Sequence, residues 1–404
     1  MNSNSDTRQG KAGTAGGRAA QSLSGPTFEQ IRKFWHPLSV ENALAPYQIA
    51  SSLAYVQVLM HMGELSQDEA ARLTEGLRQI YRELLSGTSF LNDNDPDIYT
   101  GLARRLSELC GETAGCISRR SSVESLALDV RLWVRDRLVS AFRGLIELRQ
   151  VLLRLAAEHE EVLMPGHAHL QPTRPQLLSL FFMGSESRLH RDFNRMEELF
   201  ERLNMLPKSI GGDAQLEREF DYDVLSRLLK FQGTTHVAFA GDGDYLLEFA
   251  SLAAITGVHL SQLASELLIW SSHEFGYVRL PRAFVFREQR FPARRNPEIL
   301  EALRSRSALF AGRLAELLSI MKGIPLGYSH EANEALPAVL DVVTNLDFVL
   351  ELSSVVLPAL VFDTKKMSDA AQLDLENRGN VIDYLIEKDF PQEKATAIVE
   401  HLLT

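Results

Sequence analysis

With 404 residues, 45% of them hydrophobic and 24% charged, the chain has the material for a large core and for two or three domains rather than one. A formal net charge of -11 excludes the basic footprint that nucleic-acid binding needs, and no uninterrupted apolar run reaches the ~18 residues of a membrane span. Two cysteines, Cys110 and Cys116, are too few for a disulfide framework or a cysteine-rich metal centre, and the composition reads as that of a cytoplasmic protein.

Residues 1–25 are rich in Gly, Ser, Ala and Gln and nearly free of large apolar side chains, which predicts a disordered tail. Arg8, Lys11 and Arg18 beside a single Asp have the charges of a transit peptide, yet no amphipathic face accompanies them. A helix is predicted over 46–63. Ser66 and Glu69 stand in capping-box spacing at the start of the next helix, and Gly87 sits just past its last turn. Residues 92–96 read as a loop, 97–110 as an amphipathic helix and 111–122 as irregular. From Val123 a helix is expected almost to Leu163, opened by Ser121 and Glu124 and stopped by Pro165-Gly166. The segment MPGHAHLQPTRP, 164–175, holds three prolines and two histidines and reads as a connection. Helix is expected again over 176–205, followed by a Gly- and charge-rich loop over 207–221.

The chain is organised around 242–272. Phe249, Ala253, Thr256, Leu260, Leu263, Leu267 and Trp270 alternate at steps of four and three, the seam of a bundled helix. A second stripe of Leu246, Ala250, Ala254, Val258 and Leu268 widens the apolar face. At ~1.5 Å per residue this helix is on the order of 45 Å long, and its breadth of apolar surface implies burial on most sides. After it, 275–297 is irregular and basic, with Arg279, Arg282, Arg287, Arg290, Arg294 and Arg295. Helices follow over 298–321, closed by Gly323-Ile324-Pro325, and over 335–361, kinked at Pro358. The remainder is a smaller, more polar helical unit. No period-2 segment stands out, so the predicted class is all-α.

Several stretches resemble the argininosuccinate lyase branch of the fumarase/aspartase superfamily, in order, from about Phe34 to Leu403. MPGHAHLQPTRP is similar to the family's MPGYTHLQxAQP, and SLALDVRLWVRD to the text that follows its GRSRNDQ loop. Further matches are 244–272, HEFGYVRLP, the PARRNPE that ends the signature loop, KGIPLGY, and NVIDYLIEKDFPQEKA near the C-terminus. The resemblance implies a three-domain, all-α fold built on a long central helical bundle. On this chain it implies an N-terminal helical domain over 26–117, the bundle over 118–361 and a small C-terminal domain over 362–404. It also implies a homotetramer whose composite active sites draw on three chains, a small anionic substrate, no cofactor, no metal, and no nucleic-acid or membrane partner. The implied reaction splits a C–N or C–O bond β to a carboxylate. It needs a base of tuned pKa, donors for the developing negative charge, and a lid against water.

The positions that carry this chemistry have changed more than those that pack. The family's signature-loop serine, its base, aligns with Glu288, with Gln289 beside it. Of GRSRNDQ, Arg120 and Ser121 remain, while the second Arg is Ser122 and the Asn is Val123. The Thr-His pair keeps His169, followed by Gln171, and loses its threonine to Ala168. Two family histidines are Tyr55 and Tyr99; Ser52 survives. The Asn-Ser before the central helix is Thr235-His236, the loop lysine is Arg294, and Asn296 is retained. Tyr328 and Glu334 remain, and a family Gln is Asn333. On this alignment His169 and Glu288 are the candidate catalytic pair. The candidate substrate contacts are Ser52, Tyr55, Tyr99, Arg120, Ser121, Gln171, Thr235, His236, Gln289, Arg294, Asn296, Tyr328 and Asn333.

Each survivor also has a structural reading. His169 in a Pro-rich loop can satisfy backbone carbonyls, Arg120-Ser121 can cap a helix, and Asn296-Pro297 can start one. Three functions stay open: a lyase with rewired acid/base groups acting on another succinyl-like substrate, a catalytically silent binding or structural homologue, and an enzyme turned to cyclisation or addition.

Overall fold

The computed structural model describes residues 38–92, 95, 97–120, 122–210, 220–235, 238–239, 243–285, 296–324, 334–372 and 377–402. The expected tail at 1–25, Ser121, His236, the loop carrying Glu288, Gln289 and Arg294, and Tyr328 and Asn333 lie outside the described residues. Helices dominate, and the contacts divide the chain into two compact units: 1–130 with 209–230, and 131–208 with 231–404.

In the first unit, α1 spans Leu38–His61 with Pro46 inside it. Expecting proline to open a helix therefore places its start too late: Val40, Leu44, Ala45 and Ile49 are all buried and carry one apolar face across the proline. Helix α2, Gln67–Leu85, opens on the expected capping box. The Glu69 amide donates to Ser66 Oγ (3.3 Å), and the Ser66 amide donates to Glu69 Oε2 (2.9 Å). Gly87 takes φ +81°, where a side chain would be strained. Asp97 caps α3, Ile98–Cys110, by accepting from the Thr100 amide at 2.7 Å. The stretch expected to be irregular is a 3-10 helix, Gly111–Arg119, which leads to α4, Ser122–Glu158. The short α6, Tyr222–Leu228, also belongs to this unit. Its core is Ile49, Val56, Leu73, Leu77, Ile80, Leu102 and Leu106. Burying each such side chain contributes about 1.5–3 kcal/mol.

In the second unit, α5 (Leu178–Leu203), α7 (Asp244–Trp270), α8 (Glu298–Met321) and α9 (Leu336–Val356) form the bundle, with α7 packed on α5, α8 and α9. All seven residues of the predicted seam on α7 are buried, from Ala253 and Thr256 at 0% exposure to Leu263 at 6%. The second stripe divides: Leu246 and Ala250 are buried, whereas Val258 is 52% exposed. By length and composition α7 passes for a membrane span, but its buried seam marks it as a core helix. Gly257 is what lets α8 approach, because a Cβ there would stand 2.6 Å from Phe310 Cδ2 and 3.0 Å from the Ser307 carbonyl oxygen. Helix α8 has the predicted bounds. Helix α9 stops at Val356, and Pro358 sits in a separate 3-10 turn, Leu357–Ala359, rather than in a kink. Three short helices end the chain: α10 (Thr364–Gln372), α11 (Asn377–Glu387) and α12 (Gln392–Leu402).

The segment read as a connection is a β-hairpin, and α4 ends earlier than expected to make room for it. Strand β1, Leu163–Ala168, pairs antiparallel with β2, Gln171–Leu177, with an irregularity between Pro165 and Gly166. Its burial pattern does not alternate, which is why no period of two shows in the sequence. Very short strand pairs elsewhere leave the class all-α.

Candidate active site

In the first unit, α1 presents Gln48, Ser51, Ser52 and Tyr55 at helical spacing on one face. Arg120 emerges where the 3-10 helix ends and reaches back to this face. Its Nη1 lies 3.4 Å from both Ser51 Oγ and Ser52 Oγ, and its guanidinium stands 5.0 Å over the Tyr55 ring. Tyr55 is stacked in turn on Phe220, with centroids 5.4 Å apart. An arginine clamped by hydroxyls and an aromatic face is a pre-oriented fork for a carboxylate.

Two further side chains complete the cluster. Tyr99, in the first turn of α3, is half-buried, and its hydroxyl oxygen is buried and unpaired among the described residues. Burial, and after it the charge of Asp129, raise its pKa well above the usual phenol value. Asp129, in the third turn of α4, is 0% exposed, and neither of its oxygens completes a well-formed hydrogen bond among the described residues. Burial pushes its carboxyl up to about 7. Arg120 opposes this, as do the Ser51 and Tyr99 hydroxyls, which lie close enough to favour the charged form. The Gln48 side-chain oxygen is also buried and unpaired among the described residues. Buried polar atoms normally find partners, so an orphaned set beside one guanidinium calls for an explanation.

Four sequence candidates, Ser52, Tyr55, Tyr99 and Arg120, thus come together in one unit. Asp129, Gln48 and Ser51 were missed. The available signal was a carboxylate inside the otherwise apolar run Leu126-Ala127-Leu128-Asp129-Val130, where solvation cannot account for it.

In the second unit, His169 and Leu170 form the two-residue tip of the hairpin, with φ of +53° and +62°. A tip of this kind favours Asn-Gly, and non-glycine residues held at positive φ concentrate at functional sites. His169 and Gln171 are exposed there. The hairpin behind them is held by His167, whose ring meets Phe275 edge-on at 5.2 Å and whose pKa burial lowers. The Ser368 hydroxyl of α10 also donates to the Leu163 carbonyl at 3.3 Å. Thr235 ends a short parallel strand pair: its amide donates to the Leu206 carbonyl (2.9 Å) and its Oγ1 accepts from the Lys208 amide (3.3 Å). Asn296 is half-buried just ahead of α8. A buried Asp192 also lies in this unit, but Arg195 (2.9 Å) matches its charge and the His259 ring lies within hydrogen-bond distance (2.7 Å), as a structural ion pair requires.

The lyase family model matches residues 27–312. The argininosuccinate lyase of Synechococcus sp. (strain JA-3-3Ab) is 33% identical over 94% of this chain and 79% of its own length. That of Desulfatibacillum aliphaticivorans is 32% identical over 92% and 81%. Among solved structures, EDDS lyase with formate superposes with a TM-score of 0.75 at 22% identity, covering 95% of this chain and 76% of that one. The class II fumarase of Schistosoma mansoni gives 0.75 at 15% identity, covering 98% and 90%. With the helical bundle and the Arg120 cluster in view, the chain belongs to the argininosuccinate lyase branch of the fumarase/aspartase superfamily of lyases.

Proposed function

We propose that the protein cleaves a C–N or C–O bond in a small, anionic, succinyl-like substrate other than argininosuccinate. The observation that carries this reading is the Arg120 fork, braced by Ser51, Ser52 and Tyr55 in a chain that has lost the family's second arginine and its asparagine. A half-buried, oriented cation is costly to keep without an anion to hold. Ser121, Gln171, Thr235, His236, Gln289, Arg294, Asn296, Tyr328 and Asn333 are the further substrate contacts, and His169 with Glu288 is the acid/base pair. Given a substrate found by screening adducts of dicarboxylic acids, Glu288→Gln and His169→Asn are each expected to lower kcat by about a hundredfold or more, with the melting temperature nearly unchanged. Full turnover in both variants places the catalytic groups elsewhere.

We further propose the family's three-domain plan, with boundaries near 117 and 361, its homotetramer with composite sites, and a cytoplasmic location. The exposed apolar side chains on the long bundle helices, Leu180, Met183, Val258, Phe348 and Val355, support the assembly, since a monomer rarely leaves such surface in water. Light scattering is expected to give four chains; a stable monomer at micromolar concentration removes the proposal. The exposed His169 tip is in keeping with a site that a second chain completes.

The silent-homologue reading draws on the lost donors, and complete absence of turnover on every adduct would favour it. Cyclisation draws on the 3-carboxy-cis,cis-muconate lactonizing enzyme of Pseudomonas putida, which shares the fold at a TM-score of 0.71.

A further inference from the structure

The described part of the first unit holds two buried carboxyls that the proposed chemistry does not use: Asp95, which Arg104 pairs at 2.8 Å, and Asp129, which has no such partner. Asp129 has no exposure and no completed hydrogen bond among the described residues, and it acts electrostatically on Tyr99 and Arg120. Arg120 is meanwhile committed to no carboxylate among the described residues: its contacts there are two serine hydroxyls at 3.4 Å and an aromatic face. A guanidinium and a carboxyl buried in one cluster usually form a bidentate ion pair. Here the carboxyl stands beside the guanidinium without taking it.

We propose that Asp129 is a positioning residue that holds a proton so that the Arg120 fork stays free for a substrate carboxylate. Protonated, Asp129 leaves the positive charge of Arg120 for the incoming anion. Ionised, it competes for that charge and repels the ligand. Binding above the Asp129 midpoint therefore takes up one proton from solvent, which ends on the Asp129 carboxyl. The titratable and charged groups facing this one are Tyr99 from α3 and Arg120 from the turn before α4. Asp97 lies farther out and acts on Tyr99. Helix α1 contributes only the neutral Gln48, Ser51 and Ser52 and the Tyr55 phenol. Arg120 and the Ser51 and Tyr99 hydroxyls pull toward ionisation, burial pushes against it, and burial prevails. This assignment rests on the reading of Arg120 as a substrate anchor, and it adds the residue that sets the charge the anchor presents.

The test uses the full chain, with fumarate as the probe ligand and calorimetric titrations between about pH 6 and 9. Wild-type affinity is expected to be flat below the midpoint and to fall about tenfold per pH unit above it, with proton uptake per fumarate approaching one. Asp129→Asn keeps the shape of the carboxylic acid and is expected to bind fumarate with no such decline. Tyr99→Phe removes a hydroxyl that favours the ionised form, so the midpoint should move to higher pH, which keeps the proposal testable should the Asn variant fold poorly. Parallel pH profiles for wild type and Asp129→Asn overturn the proposal, as does a Tyr99→Phe midpoint that stays in place or moves down. Arg120→Gln separates the two layers. If it abolishes binding while the other profiles stay parallel, only the role of Asp129 falls. If it binds as wild type does, or if fumarate binds to no form of the protein, the anchor itself falls and the role of Asp129 with it.

Discussion

Incubated with argininosuccinate, the purified protein is expected to release fumarate at rates orders of magnitude below the turnover of about 1 per second or more that enzymes typically show. The reason lies in three positions. Ser122, Val123 and Ala168 stand where the family places an arginine, an asparagine and a threonine that hold the substrate and its developing charge. Each lost charge-assisted hydrogen bond costs about 1.5–3 kcal/mol. Three together amount to about 5–9 kcal/mol, or roughly a thousandfold to a millionfold in rate. Replacing the signature-loop serine by Glu288 adds a change in the base itself, because a carboxylate differs from a serine in reach and pKa. Ultraviolet absorbance of the fumarate product is the readout. Turnover near 1 per second would mean that other side chains have taken over these contacts.

The second large effect concerns Asp129 and stability. The folded chain holds this proton up to about pH 7, whereas the carboxyl's ordinary value is 3.8. Between those limits the folded state binds a proton that the unfolded state has lost. The group's contribution is therefore fully present below about pH 4 and is lost as pH rises through 7. A gap of about three pH units corresponds to about 4 kcal/mol at most. Asp129→Asn removes the titration while preserving the shape. It is expected to match the wild type near pH 4 and to gain on it by about 1.4 kcal/mol per pH unit until a plateau just above pH 7. Reversible urea unfolding at one fixed protein concentration is the measurement, since assembly shifts apparent stability. A stability difference independent of pH would show that Asp129 ionises freely in the folded chain.

What could be read before folding and what could not divides along physical lines. The capping box at Ser66–Glu69, the bounds of α8 and the buried seam of α7 were all legible, because each depends on residues within one or two turns of one another. The hairpin was not. Strand β1 does not alternate in burial, β2 is rich in proline and polar residues, and the tip holds His169 and Leu170 at positive φ without the glycine or asparagine that would announce the turn. The start of α1 was missed for a related reason: a proline inside a helix reads locally as a boundary, and only the buried face of Val40, Leu44, Ala45 and Ile49 overrides it.

The Arg120 cluster divides in the same way. The sequence alone determined the family, the helical class and the candidates Ser52, Tyr55, Tyr99 and Arg120, because those follow from motif order and residue chemistry along the chain. Only the tertiary structure decided that these four share one cluster, that Arg120 rests on Ser51 and Tyr55, and that Asp129 is buried beside them. Sequence spacing reports which residues share a helix face. It carries no information about which faces of α1, α3 and α4 close on one another, and that closure is what strips water from Asp129 and sets its proton affinity.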